Sequence, residues 1–219
     1  DWTAVPNDWI YAEYVAGSRP VWLDGNVNGA TVGTASPLVV DLGGDGIPTA
    51  PLSGAALAAP GFVIDGQRVT SWIGPDDAFL ALDLDQDGAI DAGAELFGAG
   101  ATLADDGHAA NGFEALAQHD ANGDRQISAL DPVYDELQLW QDLNADTVTD
   151  PGELRPLSAA DIAVIDLTYD YLGLQNPDGS LLGERSVAQQ GAGDELAVID
   201  VWLRAATLVW LGKEPARLT

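Results

Sequence analysis

A short acidic pattern recurs along this chain of 219 residues and restricts its fold more than any other feature. Acidic or amide side chains occupy positions 1, 3 and 5, Gly often occupies position 6, and an acid follows near position 12. A tight loop of this kind supplies the roughly six to eight oxygen ligands that Ca²⁺ prefers, with a backbone carbonyl group from position 7. The pattern therefore predicts several calcium-binding loops.

The clearest copy, loop one (residues 83–95), has all three acids, the turn Gly and an apolar residue at position 8. Its predicted ligands are Asp83, Asp85, Asp87, the carbonyl group of Ala89, Asp91 and Glu95. Glu95 is at position 13 of the loop, so we expect the exit of this loop to be one residue wider than usual.

Two further copies span the full pattern but lack the Gly at position 6. Loop two (residues 120–131) has Arg125 there and loop three (residues 142–153) has Thr147, which costs backbone strain if these residues need a positive φ. The predicted ligands of loop two are Asp120, Asn122, Asp124, Gln126 and Asp131. Those of loop three are Asp142, Asn144, Asp146, Val148 through its carbonyl group, and Glu153.

The segments between the loops predict the fold. Pro132 suits the first turn of a helix reaching Trp140, which would join loops two and three as a paired EF-hand at about residues 111–161. We therefore expect an α+β fold, with a paired EF-hand-like helix-loop-helix core and short strands and hairpins around it. Residues 194–211 are apolar nearly all round and predict a buried helix, with a strand as the alternative at its start.

The chain divides near residue 37. Residues 1–36 form an aromatic-rich N-terminal segment or linker, and residues 37–212 are expected to form one module. At the start of that module Asp41 and Asp45 form a weaker copy of the loop, because Gly43 occupies position 3. Asp65 is a candidate to complete it. We thus expect about three Ca²⁺ sites, with a fourth as the open alternative.

The formal net charge of −27 excludes several functions. Neutralising phosphate groups requires clustered Lys and Arg, so neither nucleic acid nor an anionic membrane surface is an expected partner. The longest apolar stretch is interrupted by Asp200 and Arg204, which argues against insertion into a membrane. The chain has no Cys, so thiolate metal sites are impossible. An unspecific salt-adapted surface is the alternative explanation of the charge.

Several short motifs, in conserved order along the chain, resemble the self-processing module of FrpC-like, RTX-type secreted bacterial proteins. The resemblance spans about residues 37–204 and leaves the N-terminal segment outside it. The motifs are residues 36–47, Trp72 to Asp77, Leu80 to Gly98, Ala110 to Leu116, Leu139 to Asn144 and Asp200 to Leu203.

This resemblance implies a secreted bacterial module that folds on binding Ca²⁺ and has neighbouring domains of a larger protein as partners. Members of that family cleave an Asp–Pro bond at their own N-terminal edge, through attack of the Asp side chain on its own carbonyl group. Here the bond is Ser36–Pro37, which cannot form that anhydride. We therefore expect a calcium-binding module that has lost autoproteolysis. The alternatives are an active module that cuts at Ser36–Pro37 and a purely structural or adhesive domain that Ca²⁺ rigidifies.

Overall fold

The structure is a computed structural model that describes residues 9–11, 22–24, 36–54, 56, 62–64, 67–99, 101–104 and 107–207. Its regular elements are mainly β-strands, and every pairing between them is antiparallel. The strands are β1 Trp9–Tyr11, β2 Trp22–Asp24, β3 Leu38–Val40, β4 Thr49–Pro51, β5 Val63–Ile64, β6 Gln67–Val69, β7 Ser71–Ile73, β8 Ala78–Leu82, β9 Gln126–Ser128, β10 Leu137–Trp140, β11 Leu154–Pro156, β12 Ile162–Asp166, β13 Asp170–Gln175, β14 Leu181–Gln190, β15 Glu195–Trp202 and β16 Ala205–Thr207.

One nine-stranded sheet organises the module. Its order is β11-β10-β8-β3-β15-β14-β12-β9, and β13 also pairs with β14. Smaller sheets have the orders β16-β6-β5, β4-β7 and β1-β2. In the large sheet β3 lies between β8 and β15, with Val39 opposite Phe79 on one side and Ile199 on the other. The strand that follows Pro37 is thus at the centre of the sheet.

Both faces of this sheet are covered, so its central strands are buried on both sides. Leu38 and Leu80 point into one hydrophobic core, whereas Val39 and Phe79 point into the other, as the alternation of side chains along a strand requires. Aromatic rings fill the second core, where the ring centroids of Trp72 and Trp140 are 5.6 Å apart. The loops that leave these strands therefore start from fixed positions.

Short helices cover the first core. The helix α1 (Gly112–Leu116) begins where the Asn111 side chain accepts a hydrogen bond from the Glu114 N–H group at 2.9 Å, and it buries Phe113 and Leu116. It continues directly into a short 3₁₀ helix, and other 3₁₀ turns join the strands. These 3₁₀ helices are Gly93–Glu95, Ala117–His119, Pro132–Asp135 and Leu157–Ala160. No helix in the described ranges is long and apolar enough to cross a membrane.

The predicted helix-loop-helix core is wrong, and so is the EF-hand pair at residues 111–161. The segment expected to be a helix from Pro132 to Trp140 forms one 3₁₀ turn, Pro132–Asp135, and then strand β10. Leu139 points into the first core and Trp140 into the second, a period of two that fits a strand covered on both faces. Double-sided burial removed the polar positions that distinguish a strand from a buried helix.

Burial of both strand faces also explains the second misassigned segment, residues 194–211. Residues 195–202 form strand β15, not a helix, with Val198 in the first core and Ile199 in the second. The strand alternative at the start of this segment is therefore correct, while residues 208–211 lie outside the described part of the chain. A continuous apolar run does not separate a two-sided strand from a buried helix.

Candidate cation-binding loops

Loop one follows β8 and folds its acidic side chains inward. The Asp83 carboxylate accepts hydrogen bonds from the N–H groups of Asp87 at 3.3 Å and Gly88 at 2.9 Å. Asp85 also accepts from the Asp87 N–H group, and Asp87 accepts from that of Ala89 at 2.8 Å. Carboxylate oxygens of the three acids lie within 4.8 Å of one another. The backbone of the loop thus holds three predicted ligands around one point.

Loop two repeats this arrangement between the 3₁₀ turn after α1 and strand β9. An oxygen of Asp120 accepts from the Arg125 N–H group at 2.8 Å. The Asn122 side chain accepts from the Asp124 N–H group at 2.8 Å, and Asp124 accepts from that of Gln126 at 2.9 Å. Positions 1, 3 and 5 therefore accept hydrogen bonds from the N–H groups of positions 6, 5 and 7, as they do in loop one.

Loop three connects β10 and β11 and has the same geometry. An oxygen of Asp142 accepts from the Thr147 N–H group at 2.8 Å, Asn144 accepts from that of Asp146 at 3.0 Å, and Asp146 accepts from that of Val148 at 2.9 Å. Burial raises the pKa of Asp142, the charge of Glu153 raises it further, and the backbone N–H groups partly offset the rise. The repulsion between these two acids is what a bound cation would relieve.

An acid from the exit of each loop closes it in the same way. The closing acids are Glu95, Asp131 and Glu153, which are 4%, 2% and 4% exposed. Each accepts hydrogen bonds of 2.9–3.2 Å from the N–H groups at positions 2 and 9 of its loop. The position-2 donors are Leu84, Ala121 and Leu143, and the position-9 donors are Asp91, Ser128 and Asp150. Thus Glu95, at position 13, is equivalent to Asp131 and Glu153 at position 12.

Asp91 and Val148 are predicted ligands whose side chains are exposed. Asp91 donates its backbone N–H group to Glu95, while its side chain is exposed. Val148 also exposes its side chain, so only its backbone is available to the loop. The carboxylates at positions 1, 3 and 5 of loop one lie together, whereas the side chain of Asp91 is exposed, and their role as ligands stays a prediction.

The loops also share one backbone signature, with positive φ at positions 4 and 6. At position 6 the angles are 86° for Gly88 and 66° for both Arg125 and Thr147. A side chain in this left-handed region costs about 1–2 kcal/mol, so the expected strain is present in loops two and three. The short loop that begins at Asp41 has the same signature, with φ of 74° at Gly44 and 92° at Gly46.

Two of the loops are joined at their position-8 residues. The N–H group of Ile90 donates to Oγ1 of Thr149 at 2.9 Å, and that hydroxyl donates to the carbonyl group of Ile90 at 3.0 Å. Ile127, the position-8 residue of loop two, lies instead in β9 opposite Ile165 of β12. The structure therefore pairs loops one and three, and the predicted pairing of loops two and three is wrong.

The Asp41 loop lies beside a buried acid that the sequence did not indicate as a ligand. Asp77, in the turn before β8, is fully buried. Burial, together with the nearby charges of Asp41, Asp45 and Asp76, raises the pKa of Asp77 to about 7. Asp77 lies in the turn between β7 and β8, so no spacing within the loop could reveal it. Asp65, the candidate considered above, lies outside the described residues.

The predicted cleavage edge lies inside the fold. Ser36 is fully buried, and its Oγ atom accepts a hydrogen bond from the Ala99 N–H group at 3.0 Å. The Pro37 carbonyl group accepts one from the Val201 N–H group at 3.0 Å. Both sides of the Ser36–Pro37 bond are therefore held by neighbouring segments, and the Ser36 side chain has no carboxylate.

Comparisons with known proteins agree with this organisation. The family model described as the SPM domain matches residues 38–204. The iron-regulated protein FrpA of Neisseria meningitidis serogroup C is 38% identical over 184 residues, which cover 84% of this chain and 16% of FrpA. The chain thus spans about a sixth of the length of that relative. The resemblance noted over residues 37–204 is confirmed at the level of the family, and the chain belongs to the SPM domain family.

Proposed function

We propose that the chain is a calcium-binding module of an RTX-type secreted bacterial protein and that Ca²⁺ completes its fold. One observation carries this proposal: three loops, at different places in the fold, orient the same oxygen-bearing side chains through the same backbone hydrogen bonds. The acids at positions 1 and 5 and at the exit supply hard oxygen donors in every loop. Oxygen donors of this kind suit Ca²⁺, whereas softer metals favour sulfur and imidazole ligands.

The charge of the loops gives a reason for the dependence on a cation. Loop one brings carboxylate oxygens of three acids within 4.8 Å of one another, and the closing acids of all three loops and Asp142 are buried. Bringing like charges together in a poorly solvated site is unfavourable unless a counter-charge is present. A cation bound at about 100 times its dissociation constant adds about 2.7 kcal/mol of stability per site. Three such sites are comparable with the total stability of a domain, roughly 5–15 kcal/mol.

We further propose that self-cleavage has been lost. The buried Ser36 side chain is engaged by a backbone N–H group, so its hydroxyl is a hydrogen-bond acceptor within the core and lacks the carboxylate that the family chemistry requires. The module then acts through its folded form, with neighbouring domains of a longer secreted protein as its partners. The length of FrpA, of which this chain spans 16%, supports that setting.

The test compares the chain in EDTA and in 1 mM Ca²⁺ at equal ionic strength, by circular dichroism, thermal melting and calorimetric titration. We expect a large increase in melting temperature with Ca²⁺ and saturable binding with a countable stoichiometry. A salt-adapted acidic surface would respond equally to NaCl, and an unchanged melt would refute the proposal. Mass spectrometry of the same Ca²⁺ sample tests the second part, because a fragment that begins at Pro37 would show active cleavage.

A further inference from the structure

The Asp77 carboxyl group is the most poorly compensated acid near the centre of the sheet. It is 0% exposed, and neither of its oxygens has a hydrogen-bond partner in the part of the chain that the structure describes. A buried carboxylate without a partner is strongly unfavourable, so native structures pair such groups or give them a metal ion. The surroundings of Asp77 contain Asp41 and Asp45, which are acids and cannot supply the missing charge.

The Asp41 loop has the geometry of the three cation loops up to position 6. Asp41 is 6% exposed, and its oxygens accept hydrogen bonds from the N–H groups of Gly44 at 2.6 Å and Gly46 at 2.9 Å. In each of the other loops the position-1 acid likewise accepts from the N–H group at position 6. What the Asp41 loop lacks is an acid of its own at the exit, because residues 47–52 contain none.

Asp77 takes the place of that closing acid. In loops one to three the closing acid lies against the N–H group at position 2, and Leu42 is the position-2 residue here. In the antiparallel pair of β3 and β8, Val40 lies opposite Ala78, so Asp41 and Asp77 lie next to each other just beyond that pair. The turn that contains Asp77 is therefore placed beside the start of the Asp41 loop, where it can supply the missing acid.

The gap at position 3 is filled by the side chain from position 5. A Cβ atom at Gly43 would lie 2.8 Å from Oδ1 of Asp45 and 3.7 Å from Cβ of Asp76. The Asp45 carboxylate thus covers the space that a position-3 side chain would occupy, and the loop packs against the turn at residues 75–77. This contact brings the exposed Asp45 to the side of the loop that Asp77 closes.

We propose that Asp41, Asp45 and Asp77 form a fourth hard-cation site that binds Ca²⁺ between the end of β3 and the turn before β8. Unlike loops one to three, this site takes its closing acid from the turn between β7 and β8, so a bound ion would fasten two separate segments of the chain. It would also fix the end of the strand that begins immediately after Pro37. The inference is independent of whether loops one to three are occupied.

The test counts the ions bound per chain, by equilibrium dialysis of the full chain against saturating free Ca²⁺ followed by elemental analysis. We expect Asp77→Asn to bind one Ca²⁺ ion fewer than the wild type, and the exposed neighbour Asp76→Asn to bind the full number. In EDTA, Asp77→Asn is expected to melt at a higher temperature than the wild type, because it removes an uncompensated buried charge. A merely structural carboxyl would instead give a lower melting temperature and an unchanged ion count.

A second variant keeps the test decisive if Asp77→Asn does not fold. Asp45 is exposed, so Asp45→Asn should fold normally and release the same ion at free Ca²⁺ concentrations that still saturate the other sites. Equal ion counts in the wild type, Asp45→Asn and any folded Asp77→Asn protein would overturn the inference. Equal counts in a wild type that does bind ions would refute this site alone, whereas a wild type that binds none would refute the proposed function as well.

Discussion

The closing acid of loop three offers the sharpest separation between a structural and a cation-binding role. Glu153 is 4% exposed and accepts hydrogen bonds from the N–H groups of Leu143 and Asp150, both at 2.9 Å. The substitution Glu153→Gln keeps the shape of the side chain but replaces one acceptor oxygen with a donor. One of the two N–H groups then loses its acceptor, and the loop loses one of its charged ligands.

The two effects differ in their dependence on Ca²⁺. An unsatisfied buried N–H group costs about 1–3 kcal/mol under all conditions. Relief of the repulsion between Glu153 and Asp142 places the loss in EDTA toward the lower end of that range. If Ca²⁺ at about 100 times its dissociation constant stabilises the wild type by about 2.7 kcal/mol through this site, the variant also loses that amount. We therefore expect a loss of about 4–5 kcal/mol with Ca²⁺.

The assay is urea unfolding in EDTA and in saturating Ca²⁺, followed by the fluorescence of the buried residues Trp72 and Trp140. The control variant is Asp150→Asn, which removes one charge from the same loop at an exposed position and keeps its backbone N–H group. Its Ca²⁺-dependent loss should be much smaller. If Glu153→Gln loses the same free energy of unfolding in EDTA and in Ca²⁺, loop three is not a cation site and the reasoning fails.

Three further predictions use the same unfolding assay. Arg125→Gly removes a side chain that is strained at φ 66° and should raise the free energy of unfolding by about 1 kcal/mol. Gly88→Ala introduces such a side chain at φ 86° and should lower the free energy of unfolding by a similar amount. No gain from Arg125→Gly would contradict the strain argument. Thr149→Val removes the hydroxyl that forms two hydrogen bonds with Ile90 and should lower the free energy of unfolding by about 1–2 kcal/mol. Thr149→Ser keeps the hydroxyl and should lower it much less. Equal losses would mean that the hydroxyl does not join the loops. In EDTA, the wild type should lose stability relative to Asp77→Asn as the pH rises from about 4 to about 7, because the native carboxyl, with a pKa of about 7, keeps its proton above the unfolded value of 3.8. The difference reaches at most about 4 kcal/mol, and a pH-independent difference would contradict it.

The geometry within the loops followed from the sequence because it is local. The N–H groups that orient positions 1, 3 and 5 come from residues two to five positions further along the same loop, as for Asp83 with Asp87 and Gly88. A spacing rule contains all of that information, and it predicts Glu95 at the exit of loop one, where the structure shows this acid accepting hydrogen bonds from the Leu84 and Asp91 N–H groups. It also anticipated the strain at Arg125 and Thr147, where the turn requires a positive φ.

Contacts between distant segments could not be inferred in this way. Asp77 reaches the Asp41 loop only because β3 and β8 are neighbours in the sheet, with Val40 opposite Ala78. The link between Ile90 and Thr149 likewise depends on where the loops after β8 and β10 meet. Sequence spacing describes neither relation, because both are set by strand order.

The loop geometry also does not require helices beside it. The carboxylates of loop three accept hydrogen bonds from N–H groups of the loop itself. The two ends of the loop meet where the Gln141 N–H group donates to the Glu153 carbonyl group at 2.9 Å. Ends held this close are also the ends of a β-hairpin, so β10 and β11 can replace the two helices of an EF-hand without changing the ligand positions. An acidic loop pattern therefore predicts how a cation would be held, while the burial of the flanking segments decides whether strands or helices hold the loop.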